Sequence, residues 1–269
     1  MTQQNWQKWL TDRWFDFHHS YTIKAKTIWT CTSLRDASQK YMWNNQDRGQ
    51  TNSKLDDYSR LLHQALETQD NDETEKICKA ILEWGGVGQN PKQATPVWIA
   101  NESGSGSLAQ AICNGLDALH AGDAGFFSRV RPMDSAATKI MALADSGDYG
   151  VIIYDSRVAA ALAYLARQYL LEIGATEVPP ELCFPIPPWR IPGPGLGRHR
   201  NPSLGTLRFP KTGSTIHRFR IHAEGKILAS SLIANVARAT EVTSRDWEQA
   251  LFMVGHDLPR DQSQGSFYR

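Results

Sequence analysis

The stretch VIIYDSRVAAALAYLARQYL, Val151 to Leu170, constrains the fold more than any other part of the chain. An apolar run, Val151 to Tyr154, stops at an acid, Asp155. Ser156, Arg157 and an alanine- and leucine-rich helix pattern follow. The pattern predicts a helix from about Ser156 to Ile173, with Gly174 placed to end it. Asp155 then has two readings. As an N-cap, its oxygen accepts a free backbone N–H and favours the positive end of the helix dipole. As a carboxylate at the mouth of a helix, it is placed to do chemistry.

Helical spacing dominates the remainder. Trp6, Trp9, Leu10, Trp14 and Phe17 form an apolar stripe of core or interface aromatics. YMWNNQDRGQTNSKLDD reads as a long polar loop or a broken helix. DYSRLLHQALE and DETEKICKAILEWGG read as two amphipathic helices, the second capped by Asp72 and stopped at Gly85–Gly86. A Gly/Ser loop precedes a helix starting near Ser107. GSGSLAQ lacks the Gly-Lys-Ser/Thr and the βαβ setting of a phosphate loop, so a serine N-cap is the simpler reading. DSAATKIMALAD reads as a helix capped by Asp134 or Ser135. Residues 179–216 are rich in Pro and Gly and exclude a long helix. One further helix is expected from about Ala223, and a short last one capped by Ser244 or Asp246. With about eight helices and few strands, the expected class is all-α, a single domain with one long irregular insertion. Two helical lobes are expected within it, about 1–100 with the C-terminal helices and about 101–175.

The 269 residues carry a formal charge of +1, with 41% apolar and 21% charged residues, a composition that can bury a globular core. No apolar run reaches the roughly 18 residues of a membrane helix. The start, MTQQNWQKWLTDRW, lacks the apolar centre of a signal peptide. A cytoplasmic protein without a membrane partner is therefore expected. Cys31, Cys78, Cys113 and Cys183 lie far apart with no CxxC. Zinc and iron–sulfur sites need clustered ligands, so reduced and mostly buried thiols are expected, with no metal and no cofactor.

Positive charge is compartmentalised. Between Arg190 and Arg220 lie Arg190, Arg198, Arg200, Arg208, Lys211, Arg218 and Arg220, without one Asp or Glu. His199 and His217 lie among them and Trp189 leads in. An acid-free basic stretch in a neutral chain is the pattern of a protein that touches phosphates with one face. Arginines supply forked donors, and glycines let the backbone come close. An ordinary solvated loop is the plain alternative.

Lys139 lies sixteen residues before Asp155, following Thr138 near the start of one helix as Asp155 opens the next. A helix, a turn and a short extended segment bring the chain back and can set both side chains around one cleft. A desolvated lysine is a candidate nucleophile, and a nearby carboxylate can stabilise a developing cation.

At these residues the chain resembles the helix-hairpin-helix DNA glycosylases, most closely the 8-oxoguanine-glycosylase-like branch in its bacterial forms. The resemblance runs from about Phe126 to Leu170, with weaker similarity at AILEWGGV and DWEQALFMVG. It implies a helix-hairpin-helix glycosylase-like bundle in which Lys139 and Asp155 are catalytic. The family's hairpin carries glycines whose N–H groups hold a phosphate. Here the segment is RPMDSAATK, so Ser135, Thr138 or the basic insertion is expected to take over that anchoring.

A glycosylase flips its target base into a pocket, and a carboxylate beside the sugar stabilises oxocarbenium character as the glycosidic bond breaks. Asp155 fits that role. Lys139 either attacks C1′ or helps position the substrate. Arg157 is placed for a phosphate beside the flipped nucleotide, with Arg190, Arg198, Arg200 and Lys211 as further DNA contacts. Trp43, Asn44 and Trp84 are candidates for the base pocket, because flipped bases stack on aromatics. The expected partner is DNA containing a modified base. The Pro/Gly-rich insertion and the altered hairpin also resemble bacterial glycosylases of antiphage defence, which implies a glucosylated hydroxymethylcytosine as the base. The polar stretch Asn44–Asp57 would then line a roomy pocket. The alternatives are a repair glycosylase for 8-oxoguanine or another damaged base, a non-catalytic nucleic-acid-binding module, and a helical interaction protein using the Trp-rich N-terminus.

Overall fold

A computed structural model describes residues 3–23, 27–88, 90–145, 147–188, 198–213 and 216–260. Among them are ten α-helices and two small antiparallel hairpins. The chain opens with α1 (Gln3–Arg13), the hairpin β1 (His19–Ile23) and β2 (Thr27–Cys31), and α2 (Leu34–Gln39). A second hairpin, β3 (Met42–Trp43) and β4 (Gln46–Asp47), leads into α3 (Arg48–Glu67), α4 (Asn71–Trp84), α5 (Ala94–Gly104) and α6 (Leu108–His120). Then come α7 (Ala137–Ala144), α8 (Ser156–Glu172), α9 (Arg218–Ala239) and α10 (Ser244–Val254). The protein is thus mostly helical, as expected. Among the described residues no helix is long and apolar enough to cross a membrane.

Several boundaries differ from those the periodicity suggests. The stretch after Tyr41 is neither a loop nor a broken helix. Asn44 and Asn45 both take the left-handed conformation, φ 51° and 61°, which a two-residue hairpin turn requires. Asp47 then caps α3 in a reciprocal box with Gln50. Asp70, not Asp72, caps α4 through the Glu73 N–H. Ser107 sits at the N-cap of α6, but its hydroxyl bonds Glu102, and Asn71 on α4 accepts the Ala109 N–H instead. Thr243 caps α10, with Asp246 completing the box. Helix α9 begins at Arg218 rather than near Ala223, because the basic residues that read as insertion already form its first turn.

Two buried apolar clusters organise the molecule. One surrounds α8, which is buried along almost its whole length, and draws in α1, α2, α10 and the later part of α9. The N-terminal aromatic stripe belongs to it, although α1 stops at Arg13 and leaves Trp14 in the following turn: Trp6 packs on Tyr169 with centroids 5.3 Å apart, and Trp14 stacks on Trp247 at 4.7 Å. The other cluster joins α3 to α7 and takes Phe219 and Ala223 from the start of α9. In the described part of the Pro/Gly-rich stretch, Phe184, Ile186, Leu207 and Phe209 anchor an irregular path on the first cluster. The extended segment Val151–Asp155 runs along the junction. Ile152 and Tyr154 enter the first cluster and Ile153 the second, as the two-residue alternation of extended chain demands.

Candidate active site

The segment leading to Asp155 is extended yet pairs with no strand among the described residues, so its backbone groups need other partners. Side chains supply them. The Val151 N–H donates to Asp145 at 2.6 Å, the Ile152 N–H to the Ser230 hydroxyl at 3.2 Å, and the Ile153 N–H to Glu248 at 2.7 Å. The Tyr154 N–H donates to the Thr138 hydroxyl at 2.8 Å. The Lys226 ammonium donates to the Ile152 carbonyl at 2.5 Å, and His222 bonds the Tyr154 carbonyl at 2.8 Å. Asp155 closes the series as the N-cap of α8: Oδ1 accepts from the Arg157 and Val158 N–H groups at 2.8 and 3.1 Å. Oδ2 carries no hydrogen bond among the described residues. The cap therefore holds the carboxylate rigidly while leaving one oxygen uncommitted.

Lys139 lies in the first turn of α7, only 5% exposed. Its ammonium donates to the Ser135 carbonyl at 2.8 Å. Burial holds its pKa below the usual lysine value, and the carboxylates of Asp155, Glu248 and Asp134 pull it partly back. Lys139 and Asp155 thus feel one another electrostatically, with no direct ion pair among the described residues. The lysine stem lies on Gly85 at the end of α4. A Cβ there would stand 2.5 Å from Lys139 Cδ, so the glycine read as a helix stop is required by close approach.

Trp43, Asn44 and Trp84 converge on the same place. The Trp43 indole N–H and the Asn44 amide both donate to the Trp84 carbonyl, at 2.8 and 3.0 Å. The Trp43 and Trp84 rings meet edge to face at 6.5 Å, and Trp43 meets Phe252 of α10 at 5.4 Å. The Arg157 guanidinium lies over Phe252 at 4.1 Å and over Trp43 at 5.2 Å, a cation–π arrangement. Asn44 is committed to this scaffold, and Asn44–Asp57 is a hairpin turn plus the first turns of α3 rather than a polar loop.

Arg200 donates to the Ser156 hydroxyl at 2.7 Å, which brings it to the same helix start. Burial lowers it to about 10, with Arg157 and Arg198 contributing by repulsion. His256, stacked on Tyr21 at 4.7 Å, is lowered to about 3, first by burial and then by Arg157, Arg198 and Arg200. Arg157, Arg198 and Arg200 therefore gather near the start of α8. Its first N–H groups are already taken by Asp155, so the guanidinium groups, not the helix end, are what attract an anion there. Lys211 and Arg208 are exposed on the irregular stretch. Arg190 lies outside the described residues.

The start of α7 is also closed by a carboxylate. Asp134 Oδ1 accepts the Ala136 and Ala137 N–H groups at 2.9 and 3.0 Å, and the Thr95 hydroxyl at 2.7 Å. These N–H groups are already satisfied and a carboxylate stands before them, so a phosphate is disfavoured there. Thr138 is wholly buried, its hydroxyl accepting from Tyr154 and Lys226. That corrects the expectation of a phosphate contact, because no face of Thr138 reaches solvent. Ser135 offers its carbonyl to Lys139.

No family model matches the chain, and no curated protein or solved structure is significantly similar to it.

A cleft of about 890 Å³ opens between α3, the end of α7 and the start of α10. Glu248 lines it, but Lys139 and Asp155 do not. Two of its acids, Asp56 and Asp246, are spent on Arg245 and Arg48. Among the described residues no cluster of three or more His, Cys, Asp or Glu could hold a metal ion. The four cysteines are free thiols, Cys31 and Cys78 buried and the other two half-buried.

Sequence reasoning missed Phe252, His222, Lys226, Ser230 and Glu248. The polar residues His222, Lys226 and Ser230 recur at four-residue spacing on α9, a signal that reads equally well as a solvated helix face.

Proposed function

We propose that this protein is a DNA N-glycosylase of the helix-hairpin-helix type, which flips a modified base from the duplex and excises it. One observation carries the reading. A carboxylate with one uncommitted oxygen, Asp155, and a desolvated lysine, Lys139, are fixed to one another through the Tyr154–Thr138 hydrogen bond. In this reading α6 and α7 stand as the helices of the hairpin motif. Asp134 replaces the phosphate that the family's glycines hold, and anchoring passes to Arg157, Arg198 and Arg200 at the start of α8.

The chemistry follows from the charges. As the C1′–N bond breaks, its electron pair leaves with the base, which takes up a proton, and the sugar gains cationic character. Asp155 Oδ2 stabilises that cation. Burial favours the neutral Lys139 amine, which can attack C1′ and form a Schiff base that permits strand cleavage. With water as nucleophile the product is an abasic site. Arg157, backed by two aromatic rings, holds the phosphate beside the flipped nucleotide, and the half-buried Trp43 is the candidate platform for the base, with the buried Trp84 behind it.

For the base we propose glucosylated hydroxymethylcytosine, as in antiphage defence, on the resemblance alone. Oxidised purine is the second candidate, from the same source. Mass spectrometry of bases released from duplexes carrying glucosylated hydroxymethylcytosine or 8-oxoguanine tests the reading. Release of neither, with salt-dependent DNA binding retained, would favour a non-catalytic binding module.

A further inference from the structure

Helix α9 presents three polar side chains one turn apart, His222, Lys226 and Ser230, all nine-tenths or more buried. A polar ladder inside a core is costly unless every rung is bonded. Each rung here bonds the segment before Asp155: His222 to the Tyr154 carbonyl, Lys226 to the Ile152 carbonyl, Ser230 to the Ile152 N–H. Lys226 is wholly buried and directs its remaining donors to the hydroxyl and carbonyl of Thr138, at 3.2 and 3.4 Å. It therefore ties the residue before Lys139 to the extended segment that ends at Asp155. From the other side Glu248 accepts the Ile153 N–H.

We propose that the α9 ladder, with Lys226 as its central rung, is the positioning element that sets the Asp155 carboxylate against the Lys139 amine. This deepens the glycosylase reading and rests on it for its meaning, but the geometry it asserts can be measured without any reaction. The ladder touches neither the sugar nor the base. It acts by denying the 151–155 segment any other register: a slip of one residue would exchange Ile152 and Ile153 between the two cores and leave a buried ammonium unpaired.

Two measurements test it. The first follows the Lys139 ¹³Cε resonance with pH in protein labelled with [¹³C]lysine, assigned by Lys139→Arg. The charges facing this amine are Asp155, Glu248, Asp134 and Arg157, with Lys226 beyond Thr138. Asp155→Asn should lower the Lys139 midpoint in the wild-type background. In the Lys226→Met background the same change should leave it unmoved. Should Lys226→Met not fold, His222→Leu replaces it, and His222→Gln, which keeps an N–H donor for Tyr154, should restore the response. An Asp155 effect of equal size with and without the ladder overturns the proposal.

The second measurement is single-turnover base release from an oligonucleotide duplex containing glucosylated hydroxymethylcytosine. Lys226→Met should slow release roughly 100-fold, the scale expected of a misplaced reacting group, with DNA affinity unchanged. Release at the wild-type rate by a folded Lys226→Met protein contradicts the proposal. If the wild type itself releases no base while Lys139 and Asp155 remain coupled through Lys226, the glycosylase reading fails for this base and the positioning role stands.

Discussion

The hydroxyl of Thr138 accepts a 2.8 Å hydrogen bond from the backbone N–H of Tyr154. Each of these residues immediately precedes a site residue, Lys139 in one case and Asp155 in the other. The bond spans sixteen positions of sequence and converts two helix starts into one site. Thr138→Val keeps the shape and removes the acceptor, leaving the Tyr154 N–H and one Lys226 donor unpaired. A loss of about 1–3 kcal/mol in urea unfolding is expected, together with slower base release.

Asp155 serves as cap and as carboxylate, and the two roles separate by substitution. Asparagine caps a helix about as well as aspartate, so Asp155→Asn should keep the cap and lose only the carboxylate's attraction for Lys139, Arg157 and Arg200. Asp155→Ala should lose about 1 kcal/mol more. Both should release base roughly a thousandfold more slowly. Thermal melts beside single-turnover rates check this, and a rate that follows the cap rather than the charge would refute the assignment.

Gly85 has an ordinary backbone conformation, φ −70°, so alanine is tolerated locally. Its methyl group would meet Lys139 Cδ and Cε at 2.5 and 2.7 Å. Lys139 is buried and has little room to yield. Gly85→Ala should cost about 1–3 kcal/mol and reduce trapping of a DNA adduct by borohydride, whereas the exposed Gly104, with open space around it, should accept alanine without effect on trapping.

Arg157 packs its guanidinium on Trp43 and Phe252. Arg157→Ala should weaken DNA binding and flatten the salt dependence by about one unit of slope. Arg157→Lys should keep the slope but lose affinity, because an ammonium does not stack as a planar fork does. Titrations at several salt concentrations distinguish the two.

Burial lowers His222 to about 4 from 6.5. The folded state holds it neutral, so its contribution to stability is complete above pH 6.5 and is lost as pH falls through 6.5 toward 4. Glu248, pushed up to about 7 by burial, works the other way: between 4.5 and 7 the folded state binds a proton the unfolded chain does not, and stability rises as pH falls. The two slopes oppose each other in the wild type. Subtracting the His222→Gln curve isolates the histidine. The stability difference between the proteins should shrink as pH falls through that window. Parallel curves would contradict the assignment.

Much of this could be read from local pattern, and the remainder could not for definite reasons. The cap at Asp155 and the stop at Gly174 are each encoded within a few residues, and both stand. The N-terminal aromatic stripe is buried as its pattern says, but the helix carries it only as far as Arg13. The hairpin at Asn44–Asn45 escaped because its strands are two residues long and its turn lacks the usual glycine. The start of α9 escaped because Arg218 and Arg220 continue a basic run that reads as irregular chain. Lys226 and His222 look like a solvated face. They are buried only because Ile152 and Tyr154, about seventy positions away, have carbonyls with no strand partner. The meeting of Arg157 with Trp43 and Phe252 is likewise a matter of how α8, the second hairpin and α10 pack.

The most direct test of the central claim is the identity of the base released from duplex oligonucleotides carrying glucosylated hydroxymethylcytosine or 8-oxoguanine, compared between wild type and Asp155→Asn by mass spectrometry. Wild type should release a free modified base and Asp155→Asn roughly a thousandfold less in the same time, with both proteins binding the duplex. No base from the wild type, or equal release by the variant, would contradict that claim.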